Sequence, residues 1–351
     1  MLSLIYWCIH KLNWWPVPDA NPLDCLLQGV IGACGIWVLR DITRVHLFLE
    51  QQRHDATAGQ KRPLRHDSRA RSGLARTLQA VVLVVPLTLV GSRVASLVVL
   101  EFSLRAISSW FTDGLESREC QLVLVQCHFS LGCALSCSLH FFHEGAPQRL
   151  LSLMLVAALG WLLSNQTSRL LHHVEALYTL HSSRSYCGVC MTLLTTGGSL
   201  LPMLLRRTLI ATFSVAVLAS ISIVNRHFAS ATEALKFWTP LTICYTLLVV
   251  YMQDERSRAR AGQQQQQQLL KAVAVRLGGL LVLMLTVGRW ADVVHILICF
   301  LGEAVCLVAA QDLLAARTPL SDQEDFEDYN EEEIQQKETK TRLQLSDHTG
   351  K

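Results

Sequence analysis

The stretch TLIATFSVAVLASISIVN (208–225) contains no Asp, Glu, Lys or Arg, and it decides the fold class. An α-helix rises about 1.5 Å per residue and the hydrocarbon core of a bilayer is about 30 Å thick, so about 20 apolar residues can cross it. Four further uncharged stretches of 17 or more residues lie at 120–142, 150–168, 186–205 and 237–253. The sequence therefore predicts a multi-pass membrane protein made of α-helices.

Composition and charge agree with this class. Hydrophobic residues make up 51% of the chain and charged residues 17%, whereas soluble domains contain about 25% charged residues. Residues 318–351 hold ten acidic and four basic residues, a net charge of −6, while the other 317 residues have a net charge of +9. We therefore expect a basic membrane domain at 23–315, followed by a disordered acidic tail at 316–351.

Four more segments with few charges bring the predicted number of membrane spans to nine. They are 23–39, 77–100, 271–290 and 291–311, and the second of them contains Pro86 and Arg93. If the tight pair 186–205 and 208–225 forms a re-entrant hairpin around Arg206 and Arg207, eight spans remain. Because no alternation of the kind that a membrane β-barrel requires is visible, we predict an all-α polytopic bundle of eight or nine spans.

The segments outside the spans give the orientation. Residues 1–22 include Trp14 and Trp15, which favour an interfacial segment at the membrane surface. A basic loop at 40–76 contains nine Lys and Arg residues, and a glutamine-rich loop follows at 254–271. Because short loops rich in Lys and Arg stay in the cytosol, we expect the basic loop to be cytosolic.

Several segments resemble the transmembrane protein 82 family. The stretches that show the resemblance are VGSRVASLVVLEFSLRAIS (90–108), SLGCALSCSLHFFHEGAPQR (130–149), LHSSRSYCGVC (180–190), FWTPLTICYTLLVVYMQ (237–253) and LTVGRW (285–290). The resemblance implies a multi-pass integral membrane protein. It implies no activity, substrate or catalytic residue.

Ionisable residues inside predicted spans are the first candidates for function, because each costs about 2.5–3.5 kcal/mol to insert at a helix centre. Arg93 is one. Six residues near the end of the membrane domain recur every three or four positions: Arg289, Asp292, His295, Cys299, Glu303 and Cys306. On a continuous helix this spacing puts them on one face, which we call the polar stripe.

Two interpretations of the polar stripe are open. In the functional one, Arg93 and the stripe residues Arg289, Asp292, His295 and Glu303 form a binding face for a small ion, a proton or a polar solute. In the other, Arg289 and Asp292 lie at the membrane interface, and only Glu303 is deep and satisfied by a neighbouring side chain.

The cysteines give only weak candidates for a metal site. Cys187 and Cys190 form one Cys-x-x-Cys pair, and Cys133, Cys137 and His140 follow helical spacing. A structural zinc site needs four ligands, and two Cys-x-x-Cys pairs would be the convincing signal. Because buried cysteine mostly behaves as a small hydrophobic residue, we predict no metal and no cofactor.

No catalytic motif is present. The chain has no Gly-x-Ser-x-Gly, no P-loop and no dinucleotide fingerprint, so an enzyme is the less favoured class, and no partner nucleic acid is expected. Asn165 begins a glycosylation sequon, but it lies at the end of a predicted span, where we do not expect a modifying enzyme to reach it.

Two function classes remain for a protein whose surroundings are the lipid bilayer. The first is a transporter- or channel-like protein that uses the polar stripe. The second is a non-catalytic scaffold or assembly partner that binds another protein through its acidic tail, where residues 322–333 include Phe326 and Tyr329 between carboxylates.

Overall fold

The structure is a computed structural model, and its regular secondary structure is entirely α-helical, which confirms the predicted class. It describes residues 21–57, 73–113, 117–184, 188–226, 273–282 and 292–308, with isolated positions at 232, 238, 239, 241, 242, 245 and 285. The longer helices are α1 (Pro22–Thr57), α2 (Gly73–Leu89), α3 (Ser92–Asp113), α4 (Ser117–Phe142), α5 (Arg149–Arg184) and α6 (Gly188–Arg226). Two shorter helices follow, α7 (Val273–Val282) and α8 (292–308).

The predicted number of eight or nine spans is wrong for the part of the chain that the structure describes. Three helical segments there are long and apolar enough to cross a membrane: Pro22–Glu50 in α1, Arg149–Glu175 in α5 and Leu200–Arg226 in α6. The bent pair of α2 and α3 would make a fourth. Residues 1–20 of the predicted interfacial segment 1–22, the glutamine-rich loop and the acidic tail lie outside the described residues.

One cause of the difference is that two predicted spans form a single helix. α6 continues through Arg206 and Arg207, both of which are exposed. Arginine is a good helix former, and no turn residue lies beside the pair, so nothing local ends the helix there. In the same way α1 continues to Thr57, through the first half of the predicted basic loop.

A second cause is a break inside the predicted span 77–100. The axes of α2 and α3 differ by 104° across Val90 and Gly91. Pro86 weakens the end of α2, because its ring has no N–H and crowds the preceding turn. Gly91 leaves room for the imidazole of His295, since a Cβ at Gly91 would lie 3.0 Å from two ring atoms.

The remaining differences between the predicted spans and the observed ones come from the polarity of α4 and the short length of α7 and α8. α4 contains the predicted span 120–142, but buried polar side chains such as Gln126, His128 and Ser130 lower its hydropathy. α7 and α8 are short, with α7 covering ten residues. The predicted span 237–253 lies mostly outside the described residues.

Helices α1 and α5 run parallel, in register over most of their apolar length. At their first turns, Asp24 pairs with Arg149 at 3.0 Å. Further along, Gly160 of α5 packs against Cys34 of α1, since a Cβ added to Gly160 would lie 3.4 Å from the Cβ of Cys34. An apolar cluster then joins Val45, Leu49, Leu171 and Val174. We call the end with Asp24 and Arg149 the near end, and the end with this apolar cluster the far end.

Helices α2, α4 and α6 run in the opposite direction. Gly29 of α1 faces Thr88, close to the end of α2. α4 ends at Phe142, and a short turn leads from there to the start of α5. α6 ends with Arg226 paired to Glu144 at the near end, while its Leu201 packs on the far-end cluster.

The contact between α1 and α4 depends on two glycines. A Cβ on Gly32 would lie 3.0 Å from the carbonyl oxygen of Gly132, closer than real Cβ contacts usually are. Small residues at such crossings let the two helix backbones approach each other. α4 is therefore held in the middle of the bundle, where Phe129 and Ala134 are fully buried.

We expect Gly32→Ala to lower stability by about 1–3 kcal/mol, because the added methyl group overpacks a contact with backbone atoms. Gly278→Ala is the matched control, since no atom of the described residues lies within 4 Å of its Cβ position. That change should stabilise α7 by about 0.4–1 kcal/mol, as alanine restricts the unfolded chain. Thermal unfolding of the purified protein measures both, and equal effects at the two positions would contradict the α1–α4 crossing.

The helix directions also predict sidedness. The turn at 143–148 lies at the near end, whereas α1 ends and α2 begins toward the far end. A tag inserted at Gly145 and a tag inserted at Gln60 should therefore be digested from opposite faces of sealed vesicles, with the tag at Gln60 on the cytosolic face. Digestion of both tags from one face would show that α1 does not cross the membrane.

Candidate functional site

Arg276 of α7 is fully buried between two buried glutamates. Its Nε donates a hydrogen bond to Oε2 of Glu101 at 2.8 Å, and its Nη1 donates to Oε1 of Glu303 at 3.4 Å. The three residues are at most 1% exposed. Because Glu101 lies on α3 and Glu303 on α8, one guanidinium joins three helices.

A second arginine extends this group toward α4. Arg105, one helical turn after Glu101, places its Nε 3.5 Å from Oε1 of that carboxylate. Its Nη1 donates to Oε1 of Gln126 on α4, and its guanidinium carbon lies 5.3 Å from the ring centre of Phe102. We call Glu101, Arg105, Gln126, Arg276 and Glu303 the charge cluster.

The charge cluster is electrically neutral when both carboxylates are ionised. Arginine stays protonated in proteins, so Arg105 and Arg276 contribute two positive charges, and Glu101 and Glu303 balance them. Balance matters here because removing one partner of a buried ion pair leaves an uncompensated charge where water is scarce. The arrangement can hold a positive guanidinium in the bundle interior.

A second ion pair lies closer to the near end on the same two helices. Nη1 of Arg93 on α3 is 3.5 Å from Oδ2 of Asp292 on α8, and the Arg93 side chain is 15% exposed. Arg93 precedes Glu101 by eight residues, about 12 Å along a helix, and Asp292 precedes Glu303 by eleven, about 16 Å. Helices α3 and α8 therefore run in the same direction and meet in two charged layers.

The polar stripe faces the inside of the bundle. Asp292, Cys299, Glu303 and Cys306 are all buried, whereas three residues on the opposite side of α8 are exposed, namely Leu297, Leu301 and Val308. His295 is partly buried against Gly91. Arg289 lies outside the described residues. The structure thus brings together Arg93 with Asp292, and Glu303 with Arg276.

A small cavity lies one helical turn beyond Glu303 on α8, in the direction of the far end. Its volume is about 20 Å³, and its walls come from four helices: Ile36, Trp37, Arg40, Gln79, Leu83, His128, Val305 and Cys306. A cavity of this size holds roughly one water molecule when polar partners are present. It offers no room for a larger solute.

The weak metal candidates do not meet in the described part of the chain. Cys133 and Cys137 are buried in α4, and Sγ of Cys137 lies 3.5 Å from Oγ of Ser96. His140 is partly buried on the same helix. Among the described residues, no group of three or more His, Cys, Asp and Glu side chains could hold a metal ion.

Cys187, Cys190 and the glycosylation sequon at Asn165 lie away from the charge cluster in the chain. Cys187 lies outside the described residues, and Cys190 belongs to the first turn of α6. Asn165 is exposed on α5, sixteen residues after Arg149 and ten before Glu175, within the apolar span.

Four members of the charge cluster were not among the site residues predicted from sequence: Glu101, Arg105, Gln126 and Arg276. Glu101 directly follows the predicted span 77–100, and Arg276 lies inside the predicted span 271–290. A local signal did exist, because Glu101 and Arg105 are four residues apart in an otherwise apolar stretch, the spacing of an ion pair on a helix.

Comparison with known proteins gives one family match. The family model described as Transmembrane protein 82 matches residues 23–329 of the 351, a range that includes all the helices described above except the first residue of α1. No solved structure matches the chain.

The two charged layers should differ in their contribution to stability. We expect Arg276→Met to cost about 3–5 kcal/mol, because it leaves Glu101 and Glu303 buried without a shared cation. Arg93→Met is the comparison variant, and it should cost less than Arg276→Met, because Arg93 forms one ion pair, at 3.5 Å, and its side chain is 15% exposed. Thermal unfolding in detergent measures both losses, and a larger loss for Arg93→Met would contradict the buried bridge.

Proposed function

We propose that this chain, which belongs to the transmembrane protein 82 family, carries a small ion or polar solute through the interior of its helix bundle. The family and the apolar helices establish an integral, multi-pass membrane protein in contact with the lipid bilayer. The single observation that supports a carrier role is the charge cluster at the meeting of α3, α4, α7 and α8.

The charge cluster is better explained by a function than by a requirement of folding. Replacing a buried ion triad by well-packed apolar residues is often neutral or stabilising, so folding alone does not require four charged side chains here. Ionisable residues inside membrane domains that face the bundle interior commonly mark ion pathways and proton relays. Glu101, Arg276 and Glu303 have this position.

The local helix geometry also fits a carrier. α2 and α3 form a broken helix, with a bend of 104° near Gly91. Discontinuous helices often line the sites of secondary transporters, because their free ends offer polar backbone groups at membrane depth. His295 and the pair of Arg93 and Asp292 lie beside this break.

In this arrangement the pathway is closed. The cavity next to Cys306 holds roughly one water molecule, and the charge cluster itself is sealed by buried side chains. Transport therefore requires α3 and α8 to separate or to shift, which would open the cluster to one side of the membrane.

A membrane scaffold is the second candidate, and one observation favours it. α5 is the most exposed of the apolar spans, with only 11% of its most apolar window buried. Its exposed face includes Leu155, Leu159, Trp161 and Leu162. Lipid covers such a face equally well, and the acidic tail lies outside the described residues, so we rank this role below the carrier.

A thermal-shift screen of the detergent-purified chain separates the two candidates. We expect at least one simple ion or small polar solute to raise the unfolding temperature, because a ligand present at about 100 times its Kd adds about 2.7 kcal/mol to the folded state. A pure scaffold should respond to none of them.

Two variants test whether the ligand that raises the unfolding temperature binds at the charge cluster. Glu303→Gln removes a charge from the cluster and should abolish the ligand-dependent shift, whereas Glu175→Gln changes an exposed acid on α5 and should keep it. An unchanged shift in Glu303→Gln would place the ligand elsewhere, and a panel without any stabilising ligand would contradict the carrier role.

A further inference from the structure

We infer that the transported species is a proton and that Glu303 is the group that takes it up. This inference rests on the proposed carrier role and specifies its substrate. It follows from an asymmetry within the charge cluster, from the kinds of group around Glu303, and from the position of the small cavity.

The two glutamates of the cluster are held unequally. Glu101 lies 2.8 Å from Nε of Arg276 and 3.5 Å from Nε of Arg105, so two guanidinium groups hold it. Glu303 contacts only Nη1 of Arg276, at 3.4 Å, which is longer than a usual N–H···O hydrogen bond. Each glutamate has one oxygen without a hydrogen bond among the described residues, but Oε1 of Glu101 has the ion pair with Arg105, whereas Oε2 of Glu303 has none.

Protonation therefore costs less at Glu303 than at Glu101. A proton on Glu303 weakens one long contact and leaves Arg276 still paired with Glu101. A proton on Glu101 would weaken the contacts to both arginines. Glu101 is the fixed anion that keeps Arg276 in place, and Glu303 is the exchangeable one.

Apart from the imidazole of His128 on the cavity wall, the other groups near Glu303 are poor proton acceptors at neutral pH. The charged and titratable groups that interact with this carboxylate or with its direct partners come from every element packed around it: Arg40 on α1, Glu101 and Arg105 on α3, Cys127 and Cys133 on α4, Tyr245, Arg276 on α7, and Cys299 and Cys306 on α8. The arginines remain protonated, and thiols and phenols in water release protons only near pKa values of about 8.5 and 10. The two carboxylates are thus the groups of this set suited to exchange.

The cavity supplies the route to Glu303. Cys306, three residues after Glu303, lines it together with His128. Toward the near end, the next polar groups of the stripe on α8 are Cys299, His295 and Asp292, and the last two lie eight and eleven residues away, about 12 and 16 Å. Access in this arrangement is therefore from the far end.

The chemical step is a simple proton transfer. A hydronium ion that reaches Glu303 gives its proton to Oε2 and becomes water, and no bond between heavy atoms forms or breaks. The cluster then has a net charge of +1, since Arg105 and Arg276 face only Glu101. Return to neutrality requires release of the proton, on the near side once the helices have shifted.

Proton flux into liposomes tests this inference. The full chain is reconstituted with a pH-sensitive dye inside, and a potassium diffusion potential drives the movement of positive charge. We expect acidification faster than in protein-free liposomes, reduced to the protein-free level by Glu303→Gln and unchanged by Glu175→Gln.

A second measurement guards against a variant that does not fold. Infrared difference spectra of the purified chain, taken across a pH titration, should show the band of a protonated carboxylic acid. The band should be lost in Glu303→Gln, kept in Glu175→Gln and shifted in Glu303→Asp, which retains a carboxyl group if Glu303→Gln proves unstable.

The outcomes separate this inference from the proposed function. Flux of sodium, potassium or chloride without proton flux would overturn the proton assignment and leave a carrier. Proton flux that persists in folded Glu303→Gln would overturn the role of Glu303 alone. If neither protons nor any other ion or solute moves, the carrier role itself fails.

Discussion

The bridge that Arg276 forms between Glu101 and Glu303 is the constraint on which the interior of this bundle depends. Each of these side chains alone would cost about 2.5–3.5 kcal/mol at the centre of a membrane helix. Together they can be buried, because one cation lies between two anions and Arg105 balances the second. Helices α3, α7 and α8 are therefore stable inside the bundle only as a group.

This requirement divides the helices into two sets. Helices α3, α4, α7 and α8 contribute the charge cluster, and they meet in the interior. The most apolar segments belong to α1, α5 and α6, but half of the apolar window of α1 is buried, and this helix also buries Arg40 and Asp41. High hydropathy therefore identifies α5 and α6 as the helices that face lipid, while the residues of the charge cluster lie on helices with weaker hydropathy. This explains why counting apolar stretches gave the class correctly and the number of spans incorrectly.

The sequence predicted those features that depend on local spacing. The all-helical membrane fold follows from uncharged stretches, and the inward face of α8 follows from the three- and four-residue recurrence between Asp292 and Cys306. The partners could not be predicted in this way, because Arg276 and Glu101 are 175 positions apart and no local pattern links them. The break at Gly91 could not be predicted for the same reason, since Gly91 accommodates the ring of His295, which lies on another helix.

The two charged layers also constrain how the bundle can move. Helices α3 and α8 meet at Arg93 with Asp292 and again at the charge cluster, about 12 to 16 Å farther along. A shift of one helix along the other by a single turn, about 5.4 Å, would separate both layers at once. Packed interfaces of this kind change between discrete arrangements rather than deforming gradually. Because Glu303 is held by one long contact and Glu101 by two, such a shift would first free Glu303, while Arg276 stayed with Glu101. The unequal pairing within the cluster thus gives the bundle one carboxylate that can change partners without leaving the buried arginine unpaired.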